Sequence, residues 1–134
     1  MSVVIKGRST GTTTTELVHE SGAVVATMAP KDNGGDGSAF SPTDLCAASL
    51  GACGCTIMRM FADNHGIPLK GISFQLTKEM SPPPRKIAKI VIDFRIAGEL
   101  SASDFAKIVA AGKACPVGLT LGEGVEIVES YERA

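Results

Sequence analysis

The chain has no tryptophan, one tyrosine and five phenylalanines. Its core must therefore be built from Ala, Val, Ile, Leu and Met, small side chains that need many close contacts. An added interface from dimerisation would supply more of them. An excess of either charge is lacking too. The formal net charge is −1, and no run of Lys and Arg forms a stripe. Nucleic-acid binding has no electrostatic footprint here. Other catalytic sets are missing too. There is no Gly-x-Ser-x-Gly, and Gly34-Gly35-Asp36-Gly37 lacks the Lys and Ser/Thr of a phosphate loop. It reads as an open loop, of the kind that often borders a site. No Cys-x-x-Cys occurs, and His19 and His65 stand far from the cysteines in sequence, so zinc-site spacing is absent. No metal or other cofactor is expected. Residues 1–8 hold no apolar stretch of export-signal length, which leads to an expectation of a cytoplasmic protein.

Long apolar runs are limited to one, Leu45 to Phe61, 17 residues with a single charge at Arg59. It is rich in Ala, Gly and Ser, and a buried core helix is the reading, not a membrane span. At 134 residues the chain has the length of one domain, 1–134. Residues 2–6, 12–19 and 23–28 read as strands, with Ser21-Gly22 turning the second into the third. Ser41-Pro42-Thr43-Asp44 is a helix start: Ser41 at the cap, Pro42 at the first helical position, Asp44 three after the cap. The helix should run to about Asn64, roughly 34 Å, and stop at His65-Gly66. Gly51 and Gly54 weaken its interior, and close approach of another backbone or helix is the expected return. Residues 70–79 and 86–97 alternate as strands across Ser81-Pro82-Pro83-Pro84. A helix from Ser101 to about Lys113, a short helix after Cys115 and a strand over 124–131 complete the chain. Hairpins with segregated helices make the class α+β.

What the chain does hold is four cysteines, and two are in contrasting settings. Cys115 precedes Pro116, which places it at a helix cap. A thiolate there meets the positive end of the helix and free N–H groups, so its pKa should fall. The alternative is a small buried residue before a helix. Cys53 sits mid-helix, where the dipole helps little. If reactive, it needs a cation or base from elsewhere; otherwise it is an inert buried thiol. Cys46 lies seven residues before Cys53, about 10 Å along the axis and too far for a disulfide. Cys55 points about 200° away from Cys53.

Ser41-Pro42-Thr43-Asp44-Leu45, then Ala47-Ala48-Ser49-Leu50-Gly51-Ala52-Cys53, then Cys115-Pro116-Val117 resemble the OsmC/Ohr family, the osmotically inducible and organic hydroperoxide resistance proteins. The family pattern is Pro-x-Glu-Leu, a small and apolar stretch, a Cys, and a later Cys-Pro-Val. The resemblance implies an intertwined homodimer, with antiparallel sheets around long central helices. It implies that Cys53 attacks a small-molecule peroxide and that Cys115 resolves the product into a disulfide, which a cellular dithiol reduces. Asp44 stands where the family has Glu; the resemblance also implies an N-terminal arginine that activates the thiolate, for which Arg8, the only arginine before Cys53, is the candidate. The other reading is a non-catalytic member that binds a small apolar or electrophilic molecule at the dimer interface.

Overall fold

The computed structural model describes residues 1–132. In chain order the elements are β1 (Ile5–Ser9), β2 (Thr14–His19), β3 (Val24–Met28), α1 (Pro42–Asn64), β4 (Leu69–Met80), β5 (Ile87–Gly98), α2 (Ala102–Lys113) and α3 (Pro116–Glu123). A single 3₁₀ turn, Lys31–Asn33, precedes α1. The class is α+β, as the element pattern implies. The chain divides into two units, one of residues Met1–Ala48 with Lys78–Lys89, the other of Ser49–Thr77 with Ile90 onward.

In the first unit, β1, β2 and β3 form an antiparallel sheet in that order. Ile5 stands opposite His19, and Val18 opposite Val24. β1 starts three residues later than the apolar pattern suggests. The reason is its partner: β2 ends at His19 and turns through Gly22, whose φ is +93°, so residues 2–4 have no strand to pair with. Gly22 is used there because a side chain rarely adopts that backbone conformation. α1 begins on a reciprocal cap. The Asp44 N–H donates to Ser41 Oγ at 3.0 Å, and the Ser41 N–H donates to Asp44 Oδ2 at 2.9 Å. Two donors at the helix start are satisfied together, and Ser41 is buried.

In the second unit, α1 ends in a Schellman arrangement. The Ile67 N–H bonds the Ala62 carbonyl at 2.9 Å, the Gly66 N–H bonds that of Asp63 at 3.4 Å, and Gly66 has φ +64°. This is the stop expected at His65-Gly66. The unit's core is Met58, Ala62, Ile67, Leu69 and Ile108, with Phe61, Phe94 and Ile96 against it. β4 and β5 pair in a two-stranded sheet. Ile90, Ile92, Phe94 and Ile96 alternate as the half-buried face of β5, the period-2 pattern of a one-sided strand.

Two expectations need correction. The sequence suggests the close approach of another backbone or helix at Gly51 and Gly54, but aromatic rings of the hairpin fill their space. A Cβ on Gly51 would lie 2.3 Å from the Phe74 ring, and one on Gly54 would lie 2.7 Å from the Phe94 ring. The strand over 124–131 is also not formed. These residues have no regular structure, and Val125, Ile127, Val128 and Tyr131 are 69–87% exposed. A strand requires an edge to pair with, and no strand pairs with this segment among the described residues.

By length and composition α1 is sufficient to cross a membrane, with a mean hydropathy of 1.5 over its most apolar window. Its glycines at 51 and 54 are covered by Phe74 and Phe94, and 28% of that window is buried.

Candidate functional site

Cys115 is placed by its local sequence. α2 and α3 meet at 51°, and Cys115 is the residue at that corner. Pro116 opens α3, and the Cys115 backbone is extended, at φ −67° and ψ 141°. Its sulfur accepts the Gly118 N–H at 3.3 Å. It is the helix cap that Cys-Pro suggests. The thiol's acidity goes the other way from the expectation. Burial is the main cause and lifts the pKa; the Gly118 N–H only partly offsets it, and the neighbouring Cys53 raises it further. Cys115 is 2% exposed, and removing a thiolate from water outweighs one cap hydrogen bond.

Cys53 is half-buried on α1 and neighbours Cys115 closely enough to raise its pKa. The two thiols singled out in the sequence are therefore neighbours. None of the four cysteines is joined in a disulfide. Cys46 is exposed, whereas Cys55 is half-buried with its pKa raised by burial. Cys55 faces a different cleft, beside Thr56, Arg59 and Met60. Among the described residues, no group of three or more His, Cys, Asp or Glu is placed to hold a metal.

A cavity of about 370 Å³ opens beside Cys115, within the usual range for small-molecule sites. Leu50, Met58, Ile92, Phe94, Phe105 and Val109 supply apolar walls, and among the described residues Lys113 is the only charged one lining it. Gly118 keeps the thiol's surroundings open: a Cβ there would stand 3.2 Å from the Cys115 sulfur.

Asp44 and Arg8 belong to the first unit, and each has its own partner. Lys78 Nζ donates to Asp44 Oδ1 at 2.7 Å and to Thr43 Oγ1 at 2.8 Å. The Lys78 bond is the largest cause holding the Asp44 carboxyl below its ordinary value, with the Ser41 N–H next. Arg8 lies on exposed β1, and its guanidinium pairs with Glu16 of β2 at 3.4 Å. Sequence reasoning missed Lys78 as the cation at Asp44, since 34 residues separate them and no local pattern links the two. It also missed Lys113, whose place two residues before a cap cysteine offered a faint signal. Gly118 was legible in principle, as the third residue after the cap.

The OsmC-like protein family model matches residues 35–130. The chain belongs to the OsmC-like family. No curated protein matches it significantly. Among solved structures, a candidate osmotic stress induced and detoxification response protein from Psychrobacter arcticus is 33% identical, with a TM-score of 0.80 over 87% of this chain and 85% of that one. An organic hydroperoxide resistance protein OsmC from Legionella pneumophila is 23% identical, with a TM-score of 0.69 over 94% and 93%. An organic hydroperoxide resistance protein from Elizabethkingia anophelis is 15% identical, with a TM-score of 0.70 over 92% and 90%. The last two likenesses concern the OsmC-like fold.

Proposed function

We propose that this OsmC-like protein is a thiol-dependent peroxidase that reduces organic hydroperoxides, or hydrogen peroxide, with Cys53 attacking and Cys115 resolving. The observation that carries the reading is the proximity of the two thiols beside an apolar cavity. Exposure supports the order of attack. Cys53 is half-buried and Cys115 almost fully buried, although it is Cys115 that lines the cavity.

The Cys53 thiolate attacks a peroxide oxygen. The O–O bond breaks, an S–O bond forms, and the alkoxide leaves as alcohol after taking up a proton. Cys53 is then a sulfenic acid. Cys115 attacks its sulfur, the disulfide forms, and the hydroxyl departs with the Cys115 proton as water. A cellular dithiol restores both thiols and is itself oxidised to a disulfide. In this reading Arg8 activates the thiolate and Asp44 takes the place of the family's glutamate, as the resemblance implies. The protein acts as a cytoplasmic homodimer.

One equivalent of an organic hydroperoxide should remove two free thiols, and peptide mapping should find Cys53 joined to Cys115. Cys53→Ser should abolish peroxide consumption. Cys115→Ser should consume about one equivalent and stall as a sulfenic acid. Reversed behaviour of the two variants would exchange the roles. If neither variant slows peroxide loss below the parent rate, and that rate is the rate of free cysteine, the second reading takes over. That reading is a non-catalytic protein that binds a small apolar or electrophilic molecule. The cavity's apolar lining favours it, as does the engagement of Arg8 with Glu16.

A further inference from the structure

The first unit holds a second cavity, of about 420 Å³, bordered by the β1–β2 turn, the 3₁₀ turn and the start of α1. Every residue lining it belongs to that unit. The cavity beside Cys115 is walled by hydrocarbon, whereas this one is rich in hydroxyls, among them Thr14, Thr15, Thr27, Ser41 and Thr43. Arg85 is the one charged residue on its wall among the described residues.

A hydroxyl carries one proton to donate, and here the protons outnumber their acceptors. Ser41 and Thr43 share one hydrogen bond, at 3.2 Å. Both oxygens also accept elsewhere: Ser41 Oγ takes the Asp44 N–H, and Thr43 Oγ1 takes a proton of Lys78 Nζ. Of their two hydroxyl protons, one is left without an acceptor. Thr15 and Thr27 also share a single hydrogen bond, which leaves one more. Thr14 Oγ1 accepts from Thr10, and its own proton has no acceptor among the described residues. Ser41 and Thr27 are buried, so a spare donor at either is costly unless something in the cavity accepts it. Arg85 adds to the surplus. Its Nη2 donates to both carboxylate oxygens of Asp32, at 3.2 and 3.3 Å, while Nε and Nη1 have no acceptor among the described residues. Two carboxylates bond lining residues, Asp32 and Asp44. Each is paired with a cation, and neither lines the cavity. A wall of donors without a carboxylate calls for a ligand rich in acceptors. A phosphate group presents oxygen acceptors on every side and a charge for the guanidinium.

We propose that this cavity binds a phosphate group, as the free ion or in a small phosphate monoester, with Arg85 as its cationic anchor and the hydroxyl protons as its remaining donors. The proposal is independent of the peroxidase reading. The N-terminus of α1 does not carry it, because Asp44 already caps that end.

The test is calorimetric titration of the full chain with inorganic phosphate, glycerol 1-phosphate and glycerol, at low salt. The two phosphates should bind at millimolar concentration or below, glycerol should not, and added salt should weaken the binding. An ester that binds more tightly than the free ion identifies a monoester site, and equal or weaker binding identifies a site for free phosphate. Arg85→Met should weaken binding by about ten-fold, and Arg85→Lys by less. Asp32→Asn should tighten it by about two- to five-fold, since it removes the carboxylate that competes for the guanidinium. Thr14→Val keeps the shape, deletes one spare proton and should weaken binding several-fold without changing the charge. If that variant does not fold by circular dichroism, Thr15→Val with Thr27→Val deletes the spare proton of the other pair and is read the same way. A parent protein that binds neither phosphate at millimolar concentration overturns the proposal. So does glycerol binding as well as its phosphate, or phosphate binding that survives Arg85→Met. Binding that weakens in Arg85→Met but ignores both Asp32→Asn and the hydroxyl variants is an adventitious ion only at a surface arginine, and overturns the proposal too.

Discussion

Two effects oppose each other at Cys115. The cap position offers its sulfur the Gly118 N–H, and burial withdraws the sulfur from water. Burial dominates, because the hydration a thiolate loses outweighs what the Gly118 and Val117 N–H groups return. The cap was legible from Cys115-Pro116 alone, but the depth of the residue was not, since burial is a property of what packs over it. At Asp44 the contributions act together. Lys78 and the Ser41 N–H both favour the charged carboxylate, and its pKa is lowered from 3.8. A depressed folded-state pKa contributes stability above the unfolded value and loses it as pH falls through the folded value. Lys78→Met should therefore destabilise the protein at neutral pH. The Asp44 side chain is 41% exposed, so the loss should be below about 1 kcal/mol. The difference between variant and parent should close as pH is lowered through the folded pKa of Asp44. Urea unfolding at a series of pH values measures it. A gap that stays constant down to the acid limit would mean that Lys78 acts through packing rather than charge.

Among the elements, α1 was the most legible. Its cap, its proline and its His65-Gly66 stop are local signals, and each works as read. What α1 packs against was not legible. The two interior glycines announce a close approach, but nothing in the sequence says that the visitors are Phe74 and Phe94. Those rings pack against the glycines because β4 and β5 fold back on the helix, a consequence of tertiary structure. Gly51→Ala should cost about 1–3 kcal/mol, because the new methyl group overlaps the Phe74 ring. In a Phe74→Ala background the same change should be neutral or stabilising by about 0.5–1 kcal/mol, since alanine is the better helix former. A double-mutant cycle by thermal or urea unfolding reads the coupling. An equal penalty in both backgrounds would place the conflict somewhere other than Phe74. The unformed strand at 124–131 shows the opposite limit. Its alternating apolar residues carry a strand signal, but a strand is a relation between two segments, and local sequence supplies only one.

For the whole molecule, apolar exposure is the informative quantity. The first unit leaves Val3, Val4, Ile5, Val24, Val25 and Phe40 exposed, and the second leaves Met60, Phe74, Phe105, Leu119 and Leu121. Scattered apolar residues on a surface are ordinary. Here they accompany an unpaired strand-like segment and an aromatic-poor core, and a second copy of the chain would account for all three. The edge strand β1 offers unpaired backbone groups, and residues 124–131 offer the complementary pattern of alternating side chains, which is the chemistry of strand addition. The chain should therefore be a dimer at micromolar concentration by light scattering. Val125→Lys with Ile127→Lys places two charges on one face of that segment if it pairs as a strand. The double variant should shift the equilibrium toward monomer by at least ten-fold, while circular dichroism shows the helices retained. A monomeric parent protein would remove the homodimer from the proposed function. A dimer that ignores both lysines would mean that the interface lies on the exposed residues of the two units and that the tail has no part in it.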